Sequence, residues 1–132
     1  MELESTLIIN YLTYYGHKNG TIYIYHKKTM GKYFSIDEMI NSTTASAKNI
    51  NNTPNEEQKK HIIELIDVLD MIREGWTELC EKNKWGTASI RVNSGFRSEA
   101  LNKAVGGSKT SSHKTGYAAD LEPINNRMKE FQ

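Results

Sequence analysis

The sequence predicts an α+β domain, and two observations favour this class. Residues 54–83 carry apolar side chains at three- and four-residue steps, which is typical of an amphipathic helix packed on a core. Residues 87–93 and 118–121 are short apolar segments with the composition of strands, and a shorter helical pattern lies between them. The predicted order is helix, helix, strand, helix, strand, so helices and strands share one core.

The composition describes a single domain without a strong electrostatic bias. The chain has 132 residues, a formal net charge of +1 and 25% charged residues, which suits one modest core. This balance gives no reason to expect nucleic acid or a membrane as a partner, and it leaves the oligomeric state open. We therefore expect a substrate that is recognised by a local pocket.

Cysteine usage and the chain's beginning indicate where the protein is made. Cys80 is the only cysteine, which excludes an internal disulfide and a cysteine-rich zinc site, and we expect it to be a packed core thiol. No segment approaches the ~20 continuous apolar residues that span a bilayer. The first residues are acidic, unlike a secretory signal, so we expect cytoplasmic synthesis.

Residues 1–29 differ in character from residues 30–132, which form the main domain. Residues 6–15 and 21–25 are rich in β-formers, and Asn19-Gly20 lies between them, so a β-hairpin is predicted. Two interpretations remain open for this segment. It is either an accessory extension or the product of a misread translation start upstream of Met30.

The main domain begins with two helix-start signals. Ser35 and Glu38 form a predicted capping box, with Phe34 and Met39 in the positions of a hydrophobic staple. A second capping box is predicted at residues 53–56, with proline in the first helical position. The helix that it opens should end near Asn83 and bury one face, consisting of Ile62, Leu65, Leu69, Ile72, Trp76 and Leu79.

The remaining elements lead to one candidate site. A strand at residues 87–93 places Ile90 and Val92 on one face, and a short helix follows at residues 98–104. After a polar loop, Asp120 lies in an apolar strand and His113 lies in the loop before it. One histidine and one aspartate supply two of the three protein ligands of a catalytic zinc, although this spacing alone is a weak signal.

Several motifs in order carry a family resemblance. The string SxHxxGxAxD occupies residues 111–120, NSGFRS occupies residues 93–98, and LNKAVGGS occupies residues 101–108. The chain resembles the zinc D-Ala-D-Ala metallopeptidases from about residue 32 to residue 121. This group is related in fold to hedgehog domains, and it includes D-alanyl-D-alanine carboxypeptidases and bacteriophage endolysins that cut the L-alanyl-D-glutamate bond.

The resemblance implies a fold, a cofactor and roles for five residues. The fold is a small antiparallel sheet with helices packed against it, the cofactor is Zn²⁺, and the substrate is the peptidoglycan stem peptide. His113 and Asp120 would be metal ligands. Arg97 would hold the peptide carboxylate or the oxyanion, Asn102 would assist at the oxyanion, and Ser111 would lie at the substrate and orient the loop. Without a visible signal peptide, we expect an enzyme that reaches the cell wall after release or on a virion.

The family pattern also predicts a general-base glutamate and a third zinc ligand after Asp120. Glu122 and Glu130 are the carboxylates there, and neither has the expected Trp-x-His context. Three accounts fit this departure. The sequence is truncated, which we favour; or the chain is a non-catalytic wall-binding or structural relative; or His17, His26 or His61 supplies the missing ligand.

Overall fold

The computed structural model describes Glu2–Leu3, His17–Lys18, Thr21–Ile22 and residues 31–132. Its helices are α1 (Ile36–Ile40), α2 (Thr43–Ala47), α3 (Glu56–Asn83), α4 (Glu99–Ala104) and α5 (Met128–Phe131), with a 3₁₀ turn at Ser112–Lys114. Its strands are β1 (Glu2–Leu3), β2 (His17–Lys18), β3 (Thr21–Ile22), β4 (Ile90–Ser94) and β5 (Ala119–Pro123). This mixture confirms the predicted α+β class.

The main sheet is small and antiparallel, as the resemblance implied. Its order is β1-β5-β4, so β5 is the central strand. Strands β2 and β3 pair separately, on either side of Asn19-Gly20. The rest of the predicted hairpin strands, at residues 6–15 and 23–25, lies outside the described residues. The assignment of residues 1–29 to an extension stays a prediction.

Helix α3 is the central support of the domain. Its buried face includes Ile62, Leu65, Leu69 and Trp76, as predicted, and Cys80 is a buried thiol. Leu79 was wrongly placed on that face, since it is 40% exposed. No helix in the described part of the chain is long and apolar enough to cross a membrane.

The helix starts show one confirmed cap and one correction. The Ser35 hydroxyl accepts a hydrogen bond from the Glu38 N–H, and Phe34 and Met39 are both buried, as the staple requires. Helix α3, however, begins two residues later than expected. Its capping box is Asn55 with Gln58, because asparagine is as good an N-cap as threonine and completes the reciprocal bonds here.

Helix α2 was not predicted. Its sequence, TTASA, lacks an apolar repeat that would reveal it. In the structure the Ser42 hydroxyl accepts a hydrogen bond from the Ala45 N–H, so this residue caps the helix. The short α2 helix packs near α4 and forms one wall of the groove described below.

A buried carboxylate joins the start of the domain to α3. Asp70 is fully buried, and its two oxygens accept hydrogen bonds from the backbone N–H groups of Lys32 and Tyr33, both at 2.9 Å. The Lys32 ammonium also pairs with Glu74, one turn further along α3. A carboxylate can serve two donors at once, whereas a neutral amide offers only one oxygen.

We predict that Asp70→Asn lowers the free energy of unfolding by about 2–3 kcal/mol, because one buried N–H loses its acceptor and a charged hydrogen bond becomes a neutral one. Urea unfolding measures the change. Glu78→Gln, on an exposed part of α3, is the control and should stay within about 0.5 kcal/mol of the parent. Equal stability of the two variants would contradict this account of Asp70.

Candidate active site

His113 lies in the 3₁₀ turn and is held by backbone atoms on both sides. Its side chain is 2% exposed, and its Nδ1 lies 2.7 Å from the carbonyl oxygen of Gly95. A carbonyl oxygen only accepts, so Nδ1 carries the hydrogen and Nε2 is the lone-pair nitrogen of the neutral ring. The Ser111 hydroxyl accepts a hydrogen bond from the His113 N–H and thereby caps the turn. This contact agrees with the predicted loop-orienting role, while substrate binding by Ser111 stays a prediction.

Asp120 comes from β5, and an irregularity in the neighbouring strand sets its surroundings. Val92 of β4 pairs with Leu121, but Ser94 pairs with Asp120, so two steps along β4 match one step along β5. Asn93 is the extra residue of this β-bulge, and bulges turn the following side chains to the other face. The bulge therefore brings Ser94 to the face of the sheet that carries Asp120. Although Asp120 lies in an apolar strand, its side chain is 34% exposed.

Arg97 joins the pair from the turn after β4. Its Nη2 lies 3.9 Å from Asp120 Oδ2, and its Nε donates to the Ser94 hydroxyl at 3.2 Å. The side chain is 16% exposed, so its guanidinium is held in one orientation beside Asp120. The structure thus brings together three predicted site residues: His113, Asp120 and Arg97.

Asn102 is buried beneath Arg97. Its Oδ1 accepts a hydrogen bond from Arg97 Nη1 at 3.2 Å, and its Nδ2 donates to the Ser108 carbonyl at 2.9 Å. Both ends of its amide are therefore engaged within the protein, and what the geometry gives it is the orientation of Arg97. Its predicted role at an oxyanion stays a prediction.

Gly107 completes the support of Arg97 and was not singled out in the sequence. A Cβ at this position would overlap the Asn102 side-chain oxygen and would lie 2.9 Å from Arg97 Nη1. The backbone at residue 107 therefore lies so close to the Arg97 and Asn102 side chains that only glycine fits at this position. In the sequence, Gly107 was only one letter of the LNKAVGGS motif, which does not reveal this contact.

The turn at residues 95–97 is fixed by Asn52, whose structural role the sequence did not reveal. Asn52 Nδ2 donates to the carbonyl oxygens of Ile40 and Phe96, and its Oδ1 accepts the N–H of Ser98 at 2.7 Å. A single amide therefore connects the end of α1 to both sides of Arg97. Such contacts are between residues far apart in the chain, so local patterns carry no signal for them.

The same turn holds His113 directly. The Arg97 N–H donates to the His113 carbonyl at 3.0 Å, in addition to the bond from the His113 ring to Gly95. The Phe96 N–H donates instead to the Met39 carbonyl at 2.8 Å, which ties the turn to α1. Both potential zinc ligands thus depend on backbone atoms of β4 and the turn after it.

The spacing of His113 and Asp120 fits a zinc ion. Nitrogen and carboxylate ligands lie about 2.0–2.2 Å from a tetrahedral zinc, so two such ligand atoms are about 3.4 Å apart. His113 Nε2 and Asp120 Oδ2 are 3.5 Å apart. The bond from Nδ1 to Gly95 supplies the outer partner that metal-binding histidines use to fix their tautomer. The two donors therefore suit zinc in kind, orientation and spacing.

Within the part of the chain that the structure describes, no third histidine, cysteine or carboxylate completes a metal-binding group. His61, considered above as a borrowed ligand, directs its Nδ1 to the Thr115 carbonyl at 2.8 Å. The His17 and His26 side chains lie outside the described residues.

The two carboxylates after Asp120 are engaged in surface ion pairs. Glu122 lies 3.5 Å from Arg91 and accepts a hydrogen bond from Asn93. Glu130 pairs with Arg127 at 3.1 Å, and the hydrogen bonds of its own backbone and of Arg127 lower the pKa of this carboxyl. Neither contact links a glutamate to the His113–Asp120 pair.

The loop after His113 lies directly on the first turns of α3. Gly116 has a φ of +92°, and a Cβ there would lie 2.7 Å from the Gln58 carbonyl oxygen. Gln58 also donates from its side chain to the Lys114 carbonyl at 3.1 Å. The Tyr117 hydroxyl donates to Glu64 at 2.5 Å, and burial together with this bond raises the pKa of Tyr117 to about 12. Helix α3 thus holds residues 114–117, the part of the loop that leads into β5.

A buried histidine, an aspartate and an arginine thus converge in one place in this α+β domain. In a comparison with known families, a model described as Peptidase M15 matches residues 32–132. The chain therefore belongs to the Peptidase M15 family, which confirms the resemblance found in its motifs. No curated protein and no solved structure matches the chain.

We predict that Gly107→Ala disturbs the site while Gly106→Ala does not. The added methyl at residue 107 displaces Asn102 and with it Arg97, whereas nothing lies within 4 Å of a Cβ at residue 106. Gly106 has a φ of +73°, so alanine there costs about 1–2 kcal/mol of backbone strain only. Urea unfolding together with NMR of the Arg97 side chain separates the two effects. An unchanged Arg97 signal in Gly107→Ala would contradict the prediction.

We predict a loss of stability at high pH that depends on Tyr117. The pKa of its phenol is raised from 10.0 to about 12 in the folded chain, so the protonated form stabilises the fold. This contribution is complete below about pH 10 and is lost as the pH rises through about 12. Unfolding free energies measured across this range should fall more steeply for the parent than for Tyr117→Phe. Parallel curves would contradict the prediction.

Proposed function

We propose that this peptidase is a zinc-dependent hydrolase of peptide bonds in peptidoglycan, either a D-Ala-D-Ala carboxypeptidase or an enzyme that cuts the L-Ala-D-Glu bond. The observation that carries the proposal is the His113–Asp120 pair, whose donor atoms are 3.5 Å apart and suit zinc in kind. Membership of the Peptidase M15 family supports peptide-bond hydrolysis as the reaction. The proposed substrate is the stem peptide of the cell wall.

The residues around the site would have distinct tasks. His113 and Asp120 would hold zinc, which as a Lewis acid polarises a carbonyl group and lowers the pKa of water to about 7. Arg97 would bind the substrate carboxylate or the developing oxyanion, since its guanidinium keeps its charge and forms paired hydrogen bonds. Asn102 and Ser94 would keep that guanidinium in place.

A groove beside the site supports a peptide substrate. It has a volume of about 440 Å³ and runs between α2, α4 and β4 to Arg97. The described residues that line it include Arg97 and Arg91, of which Arg91 also pairs with Glu122, and none of them is acidic. Hydroxyl and amide side chains from Ser42, Thr43 and Asn93 add hydrogen-bonding groups. A groove of this character favours an extended peptide that carries carboxylates.

A second candidate function is binding of cell-wall peptide without hydrolysis. It is favoured by one observation: residues 31–132 bring only two metal-binding side chains together. The groove and Arg97 would serve a binding domain equally well. Zinc binding and product formation distinguish the two candidates.

We predict that the protein binds zinc and releases peptide fragments or D-alanine from purified peptidoglycan. Isothermal titration with Zn²⁺ measures binding, and mass spectrometry identifies the bond that is cut. Asp120→Asn should weaken zinc binding by more than about 100-fold, which exceeds the loss expected for an outer partner of a metal ligand. It should also abolish product formation. Asp120 is preferable to His113 for this test. The His113 ring is bonded to the turn at residues 95–97, so replacing it would disturb the fold as well as the metal site.

Glu122→Gln is the matched control, because Glu122 lies two residues further along the same strand and pairs with Arg91 at the surface. It should bind zinc and form product like the parent. Binding of wall peptide without zinc and without product would favour the non-catalytic candidate. Zinc binding that survives Asp120→Asn would place the metal elsewhere and overturn the proposed site.

A further inference from the structure

His61 makes two contacts with the loop that carries His113. Its Nδ1 donates to the Thr115 carbonyl at 2.8 Å. Its ring stacks on the Tyr117 ring, with centroids 4.1 Å apart and planes inclined by 17°. A hydrogen bond and a stacked ring together restrain both the position and the rotation of the loop at residues 115–117. His61 was considered above only as a borrowed ligand.

These contacts belong to a continuous seam. Gln58, His61 and Glu64 are spaced three residues apart on α3, so they lie along one side of the helix. They bond in the same order to Lys114, Thr115 and Tyr117 of the loop. The loop therefore follows the helix closely, residue by residue. His61 is the middle contact, and its Cβ would lie only 3.2 Å from a Cβ at residue 116.

The opposite side of the loop faces the turn at residues 95–97. His113 contacts that turn through its ring and through its carbonyl, which accepts the Arg97 N–H. The turn is itself tied to Asn52 and Met39. The loop is therefore restrained from two sides: the turn holds it at His113, and the α3 seam holds it at residues 114–117.

We propose that His61 is a positioning residue that holds the His113 loop in its metal-binding arrangement without binding the metal. The consequence for zinc rests on the proposed function, whereas the effect on the loop does not. Loss of an outer partner typically weakens metal binding by about 10–100-fold. His61 contacts the loop and not a metal ligand directly, so its effect should lie at the lower end of this range. We therefore expect about tenfold weaker zinc binding when its N–H is removed.

Hydrogen exchange of two neighbouring amides tests the proposal in the metal-free protein. The Arg97 N–H bonds to the His113 carbonyl on the loop, while the Phe96 N–H bonds to the Met39 carbonyl of α1. His61→Phe keeps a ring to stack on Tyr117 but removes the donor to Thr115. The Arg97 amide should then exchange on the order of five- to tenfold faster, which is the usual effect of one hydrogen bond. The Phe96 amide should keep the rate of the parent.

Two further variants separate positioning from general stability. His61→Gln retains an N–H donor and should recover part of the slow exchange at Arg97 and part of the zinc affinity. Asp70→Asn weakens the fold at a place remote from the loop, and it should leave zinc affinity within about twofold of the parent. Lys60→Gln, an exposed neighbour on α3, should change neither quantity.

The outcomes are distinct. Faster exchange at Arg97 alone, with partial recovery in His61→Gln, supports the positioning role. Unchanged exchange at Arg97, or equal acceleration at Phe96, overturns it. If the parent protein binds no Zn²⁺, the proposed function fails, and the two exchange rates still decide the role of His61. If zinc binds and Asp70→Asn weakens it as much as His61→Phe does, the effect is one of stability and the proposal is wrong.

Discussion

The arrangement of the site depends on one side-chain amide, that of Asn52. It makes three hydrogen bonds to backbone atoms on either side of Arg97 and at the end of α1. Just after β4, the backbone groups of Phe96 and Ser98 bond to this amide instead of to the backbone of a neighbouring strand or helix. Because the ring and the carbonyl of His113 both bond to this turn, the position of the imidazole depends on the position of Asn52. A partly buried amide whose nitrogen and oxygen are both hydrogen-bonded favours a single conformation of such a turn.

The charges around Asp120 are arranged by the sheet more than by the loops. The bulge at Asn93 turns Ser94 towards Asp120, and Ser94 in turn holds the Arg97 side chain. The same carboxylate oxygen is 3.5 Å from His113 and 3.9 Å from Arg97. A cation bound at the histidine would therefore share this carboxylate with the guanidinium, and the shared negative charge would reduce repulsion between the two positive groups.

Local signals in the sequence predicted much of this fold. The Ser35 cap, the buried face of α3 around Leu65 and the apolar strand at Asp120 were all visible, because each depends on neighbouring residues or on periodicity. The start of α3 was missed by two residues, since two adjacent capping patterns compete there. Helix α2 was missed because its stability comes from a serine cap and from packing, not from an amphipathic repeat.

The sequence predicted the residues of the candidate site, but it did not predict the residues that hold them in place. The motif supplied His113, Asp120 and Arg97, and the structure places them together. The supports depend on contacts over long distances in sequence, such as those of Asn52 and His61. Nothing in the neighbourhood of these residues distinguishes them from ordinary polar surface residues, so a single sequence does not reveal them.

The hydrogen bonds of His113 have a consequence for how such domains change in evolution. Its ring and its carbonyl both bind the turn at residues 95–97, so a descendant that had lost catalysis would still need this histidine to fold well. Asp120 is less firmly anchored, since its side chain is 34% exposed and approaches His113 and Arg97 through its charge. Under the proposed function, the loss of metal binding in evolution would therefore cost the fold less through this aspartate than through the histidine.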